Sequence, residues 1–416
     1  MENSRVKKAV IFYFCALIVS IVFFNSSGGS TVMYIGYVGS IFLLFAYCLP
    51  YMKKLNAVLF MWGVFILFSG VFAIVNHYDH VFVSIQSIGL NVNIFVPLMY
   101  SAIISVLIRR KMTSRQIESI LKAIMMISLV IIAVTLVLNL DSLGKLFSSS
   151  YNVYLVAIRG FFPNKNMLGN FAAFACVISV YLFAVKKSRF GFVSMAALIV
   201  FTVFTFSRAA LLFVAVFVTA YFLLSFRTPG GEKGRMARRF RSLVLAVLIL
   251  IALACVFSAD VREFAFNRIL RIQTGDAGRS NIQEYVRPII ERSTVTDVLF
   301  GIGVSELEYL VPYDLHNTYL TTYVVGGVTK LTLFFAGILI SFFSILRQYQ
   351  KPIIKFCMSC LVAYLAFCFF ETVVFFELGL FNFELLFIII IIPLSLKHEE
   401  DDPDELSQTV LNENEK

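Results

Sequence analysis

The sequence carries no P-loop, no Rossmann glycine fingerprint and no G-x-S-x-G nucleophile elbow. These absences argue against nucleotide-driven, dinucleotide-dependent and α/β-hydrolase chemistry. A DxD-type metal motif for nucleotide sugars is missing from the segments expected on the outer face. Histidine is scarce, at four residues. His77 and His80 stand three apart beside Asp79, in a short turn that reads as surface rather than as a metal site. Cysteine is absent from the long polar stretch between about 260 and 325. All seven cysteines (Cys15, Cys48, Cys176, Cys255, Cys357, Cys360 and Cys368) fall in apolar runs. The spacing of Cys357 and Cys360 has no second pair and no neighbouring histidine, so it reads as buried packing. No internal repeat is found.

What is present is apolar. Hydrophobic residues make up 59% of the 416, and the mean hydropathy is +0.86. Repeated runs of about 20 apolar residues read as transmembrane helices. Twelve are expected, near 9–25, 32–50, 56–76, 82–108, 117–139, 166–185, 190–206, 208–226, 242–259, 326–346, 353–373 and 378–396. The basic, signal-like start lacks a small-residue cleavage site and reads as a retained first helix. Lysine and arginine set the orientation. Arg5, Lys7 and Lys8 place the N-terminus inside, and every even-numbered turn is basic. The net charge of +10 is mostly this topology signal and calls for no nucleic acid. The apolar stretch 190–226 is broken only by Ser207-Arg208, with basic clusters at both ends. It must turn there on the outer face, with Ser207 capping the returning helix.

The reading is an all-α polytopic membrane protein with one long outer loop. An N-terminal transmembrane bundle occupies 1–140. A core follows at 141–346 with its extracytoplasmic loop at 260–325, then C-terminal helices at 347–397. The tail at 398–416 is acidic and reads as disordered and cytoplasmic. In the loop, Ile282, Tyr285, Val286, Ile289 and Ile290 recur at helical spacing, which predicts an amphipathic helix along the membrane surface. Arg279, Gln283 and Arg287 share another face of it. Pro288 predicts a kink or an early stop.

Candidate chemistry gathers on the outer side. His316 is the only histidine in the long loop, within Asp314-Leu315-His316-Asn317-Thr318-Tyr319-Leu320, just before the span expected from Gly326. An imidazole there can exchange a proton near neutral pH; the plainer alternative is an interfacial histidine bonded to backbone. The outer cations are mainly arginines: Arg159, Arg208, Arg262, Arg268, Arg271, Arg279, Arg287 and Arg292. Arginine presents a planar fork suited to phosphate, although snorkelling or pairing with acids is the alternative for each. Glu371, Glu377 and Glu384 lie in or beside the last two spans, on the outer half. At least one is expected to form an orienting ion pair, with an arginine the expected partner. Glu371 or Glu377 could instead serve as a base.

Five short motifs then follow one another. Arg159-Gly160-Phe161-Phe162-Pro163-Asn164-Lys165-Asn166-Met167-Leu168-Gly169 resembles a "G-F-x-N-x-N-x-x-G" helix entry, and Ser207-Arg208-Ala209 an "S/T-R-A" turn. Gly278-Arg279, Phe300-Gly301-Ile302-Gly303 and His316-Asn317-Thr318-Tyr319-Leu320 ("H-N-x-x-L") complete the order. Together they resemble the O-antigen ligase and O-antigen polymerase family of bacterial envelope proteins. The motifs span Arg159 to Leu320; the first five helices match in hydropathy alone. The resemblance implies a metal-independent glycosyltransferase of the bacterial inner membrane, without a cofactor, with both termini cytoplasmic. Its donor would be a glycan on undecaprenyl diphosphate. His316 would be the general base for the acceptor hydroxyl, and Arg208, Arg279 and, more weakly, Arg159 would clamp the diphosphate. Asn317, Arg287, Asn164, Asn166, Glu371 and Glu377 would support them. Membrane lipids and a polysaccharide chain-length regulator would be partners. The favoured activity is a polymerase extending capsule, exopolysaccharide or O-antigen. A ligase that transfers the glycan to lipid A core is the alternative, and a transporter or flippase a further one.

Overall fold

The computed structural model describes residues 7–12, 39, 42–50, 102–103, 105–109, 111–140, 162, 165–186, 189–205, 207–226, 279–311, 315–346, 348, 351–372 and 384–396. Arg159, Asn164, Glu377, the spans expected at 56–76 and 242–259 and the acidic tail lie outside them. Among the described residues there is no strand, only an isolated parallel bridge between Met112 and Leu396. The principal helices are α1 (Ser114–Leu138), α2 (Lys165–Lys186), α3 (Arg189–Phe204) and α4 (Arg208–Phe226). After them come α5 (Arg279–Arg292), α6 (Val295–Phe300), α7 (Gly303–Leu310), α8 (Thr318–Leu346), α9 (Pro352–Phe367) and α10 (Glu384–Ser395).

The protein is an all-α membrane protein: α1, α2, α4 and α8 are each long and apolar enough to cross a bilayer, and α3, α9 and α10 are shorter apolar helices. The 25 residues of α1 span about 37 Å at 1.5 Å per residue. Thr113 caps α1 in a capping box with Gln116, which satisfies two donors at a helix start.

α2 is the hub. Its face residues Gly169, Ala172, Ala173, Ala175, Cys176 and Ser179 are small, and small residues let helix backbones approach closely in a membrane. α2 packs against α1, α3, α4 and α9. α3 and α4 are joined in sequence but touch each other little: α3 packs chiefly on α2, and α4 on α9 and then α2. Aromatic rings tie α2, α4 and α9 together: Tyr181 to Phe356 at 4.7 Å, Phe217 to Phe356 at 5.7 Å and Phe213 to Phe367 at 5.7 Å. Such pairs contribute about 0.5–1.5 kcal/mol each beyond burial. The apolar side chains left exposed on α1 (Val130, Val134, Val137) and α8 (Phe335, Leu339, Phe342, Phe343, Leu346) suit acyl chains.

The α3–α4 turn falls where expected, at Phe204–Ser207. It needs neither Gly nor Pro because side chains satisfy its backbone. Ser207 Oγ accepts from the Ala210 N–H at 3.4 Å, Thr205 Oγ1 accepts from the Ser207 N–H at 3.4 Å, and Thr205 Oγ1 donates to the Thr202 carbonyl at 2.7 Å.

The expected loop at 260–325 is largely helical where it is described, through α5, α6, α7 and the first arm of α8. α5 continues through Pro288 to Arg292 instead of stopping. Val286 and Ile289 of α5 join Ile302, Leu307, Val311, Leu315, Val324 and Val325 in a second, smaller core. Tyr285 and Ile290 stay exposed.

The expected span at 326–346 begins earlier, at Thr318, and Gly326-Gly327 is a kink rather than a start. Gly327 has φ 61° and ψ −167°, a backbone state open to glycine and costly for other residues. The kink folds the first arm back. In a straight helix Tyr319 and Phe335 would lie about 24 Å apart, yet their rings stack at 5.9 Å. The 29-residue run is therefore two helices, one on either side of Gly327. α9 ends at Phe367, six residues short of the expected boundary, and leaves Glu371 in the turn beyond it.

Candidate functional site

The two ends of α2 can be told apart. Near its C-terminal end, Tyr181 donates to Glu118 of α1 at 3.3 Å. The Met112–Leu396 bridge, just ahead of α1, belongs to that end. The N-terminal end of α2 is about 30 Å away along the helix, and the candidate residues meet there.

Three chain segments converge on Glu371. Its Oε1 accepts from Asn166 Nδ2 at 3.1 Å, and its Oε2 lies 3.3 Å from His316 Nδ1. The backbone reinforces the junction. The Thr318 N–H donates to the Cys368 carbonyl at 2.8 Å, and Thr318 Oγ1 donates to the Glu371 carbonyl at 2.7 Å. Thr321 and Thr372 hydroxyls meet at 3.3 Å. Glu371 is buried, whereas the His316 ring is 33% exposed, so the imidazole keeps a face that an incoming group can reach.

His316 sits at φ 47°. A non-glycine residue in the left-handed region stores strain of about 1–3 kcal/mol, held only where the surroundings over-determine it. Both neighbours do so here. Leu315 is buried in the second core. Asn317 caps the first arm of α8: its Oδ1 accepts from the Leu320 N–H at 2.9 Å and its carbonyl from the Thr321 N–H at 2.9 Å. Asn317 is thus occupied as a helix cap.

The second motif packs on the first. A Cβ on Gly169 would fall 2.5 Å from Ser207 Cβ and 2.8 Å from Thr205 Oγ1. Only glycine lets the α3–α4 turn rest against α2, one turn below Asn166. Arg208 opens α4 at this contact, with its side chain half-buried. The fourth motif packs on the kink. A Cβ on Gly301 would collide with the Val325 carbonyl, one on Gly327 would collide with that of Leu299, and the Ile302 N–H donates to the Val324 carbonyl at 2.9 Å. The Phe300–Gly303 segment is therefore a packing element that carries the second core onto the arm bearing His316.

Arg279 opens α5, which is anchored through Val286 to the core holding Leu315. Arg287, expected to share a face with Arg279, is highly exposed and pairs with Glu291 on its own helix at 2.7 Å. Such an exposed i,i+4 pair contributes about 0.3–0.5 kcal/mol and leaves Arg287 as a solvated face residue. The arginine partner is expected for at least one of Glu371, Glu377 and Glu384; among the described residues Glu371 meets His316 and Asn166. Glu384 is fully buried in α10, and neither carboxyl oxygen has a hydrogen-bond partner among the described residues. Cys357 and Cys360 are buried and unbridged, as their apolar context implies. Among the described residues no group of three or more His, Cys, Asp or Glu could hold a metal ion.

Sequence reasoning missed Thr318 and Gly169. Their only signal is a place within motifs whose polar members drew the attention. The His316 ring meets Glu371 through Nδ1, and the roles of its two nitrogens follow from the tautomer it takes. No family model matches the sequence, and no curated protein matches it.

Proposed function

We propose that this protein is a membrane glycosyltransferase that moves a glycan from undecaprenyl diphosphate to the hydroxyl of another lipid-linked repeat unit, a polysaccharide polymerase of the O-antigen ligase and polymerase type. In this reading the chain crosses the bacterial cytoplasmic membrane twelve times with both termini inside, and the N-terminal end of α2 faces out. The observation that carries it is the meeting of Asn166, Glu371 and His316 at one end of the bundle, with Ser207-Arg208 packed one turn away. His316 takes the acceptor proton. The departing diphosphate builds negative charge, which Arg208 and Arg279 stabilise without a metal ion.

Transport is less well supported. The hydroxyls of Ser128, Ser179, Thr202 and Ser359, buried inside spans, all bond to carbonyls four residues back on their own helices. These four hydroxyls are satisfied within their own helices. The deciding measurement is transfer by the purified full chain, in lipid nanodiscs, from an undecaprenyl-diphosphate oligosaccharide to a second lipid-linked unit in EDTA. Elongated lipid-linked product is expected. Transfer to lipid A core but not to repeat units would move the reading to ligase, and loss of transfer in EDTA would end the metal-free mechanism.

A further inference from the structure

The Glu371 carboxylate carries two hydrogen bonds that pull in different directions, and both partners are uncharged or titratable side chains rather than arginines. Asn166, at the first turn of α2, holds Oε1; His316 is left facing Oε2. The Glu371 backbone is itself pinned by Thr318, two residues from His316, so carboxylate and ring are fixed to one local frame. A carboxylate is acceptor-only when ionised, and its partner at Nδ1 is then an N–H.

We infer that Glu371 is a positioning residue: it holds His316 in the Nδ1–H tautomer, with the lone pair on Nε2, and Asn166 aims the carboxylate that does so. The catalytic consequence rests on the transferase reading above; the tautomer does not. The 3.3 Å separation is long for a charge-assisted bond, as general-base contacts often are before substrate closes the site. The exposed left-handed His316 gains orientation from Glu371, and Glu371 gains its own from a helix start 205 residues earlier in the chain.

The experiment labels the full chain with ¹⁵N-histidine in nanodiscs. Of the four histidines, the His316 signals are those lost in His316→Gln. In the wild type they report the Nδ1–H form. In Glu371→Leu, which keeps the backbone contact with Thr318 but offers no acceptor, they shift to the Nε2–H form or a mixture. In the transfer assay Glu371→Leu loses about 10–100-fold in kcat, the usual scale for a residue that orients another, while KM for the lipid-diphosphate donor stays put. Asn166→Ala, on α2 and far from the turn in sequence, loses a smaller factor in kcat with the same unchanged KM, and serves if Glu371→Leu does not fold. An Nε2–H signal in the wild type, or identical His316 signals in wild type and Glu371→Leu, overturns the assignment, as does unchanged kcat in both variants. A wild type that shows the Nδ1–H signal but transfers no lipid-diphosphate glycan upholds the positioning contact and removes the transferase reading instead.

Discussion

Two residues other than glycine adopt left-handed backbone among the described residues, and they stand at opposite ends of α2: Lys111 at φ 42° and His316 at φ 47°. At the Lys111 end the left-handed residue itself is turned inward to the backbone. Lys111 Nζ donates to the Leu394 carbonyl at 2.9 Å, and the Met112 N–H to the Ser395 carbonyl at 2.7 Å. At the His316 end the backbone is tied just as firmly by Thr318 and Asn317, but the left-handed residue's own side chain meets another side chain and its ring stays 33% exposed. The same local strain thus closes one end of the bundle and presents a reactive group at the other.

The largest effect is expected at His316. His316→Ala should lose about 10²–10⁴-fold in transfer rate, the usual contribution of a positioned base, with donor binding retained. His316→Gln, which keeps hydrogen bonding without basicity, should be equally slow; near-normal transfer by it would reduce His316 to a brace, like Lys111. The arginine forks come next. Arg208→Lys and Arg279→Lys keep charge but lose bidentate geometry, and a fall of about 10²–10³-fold is expected, with lipid-linked repeat units accumulating in membranes that still contain the protein. Wild-type polymer from both variants would remove the clamp.

Smaller effects fall on stability. Gly327→Ala places a side chain at φ 61° and against the Leu299 carbonyl, so a loss of about 2–3 kcal/mol is expected from strain and displacement. It should be visible as a lower thermal midpoint in detergent, and the second core should loosen before α2 does. Smallest is Lys111→Gly. Relief of left-handed strain, about 1–2 kcal/mol, is offset by loss of the bond to Leu394, about 0.5–1.5 kcal/mol. The thermal midpoint should move by only a few degrees and transfer should not change. A large loss of transfer from Lys111→Gly would mean the two ends are coupled, and the contrast between them would fail.

Much of the bundle was legible from hydropathy. Spans expected at 117–139, 166–185 and 208–226 are found at Ser114–Leu138, Lys165–Lys186 and Arg208–Phe226, because length and apolarity are what a bilayer selects. The segment before Gly326 was misread for a physical reason. Thr318, Thr321 and Thr322 look like loop, and Gly-Gly looks like a boundary, but Asn317 supplies a cap and the threonines find partners or burial within the fold. Pro288 misled in the same way, since α5 tolerates it where tertiary packing of Val286 and Ile289 holds the helix. For the site, His316 stood out as the loop's lone histidine and Glu371 as an acid in an apolar run. Their contact did not, because nothing local in a chain encodes a pairing across 55 residues, or one across 205 from Asn166 to Glu371.

That last separation has a consequence in time. Translation proceeds at about 5–20 residues per second, so α2 and its Asn166 leave the ribosome roughly 10–40 s before Glu371 is made. For that interval Asn166 is without the Glu371 carboxylate, while α3 and then α4 pack on α2 and the turn between them shelters Gly169. The site is assembled by one of the last segments to be synthesised. A chain that stops before Glu371 lacks the carboxylate that joins Asn166 to His316.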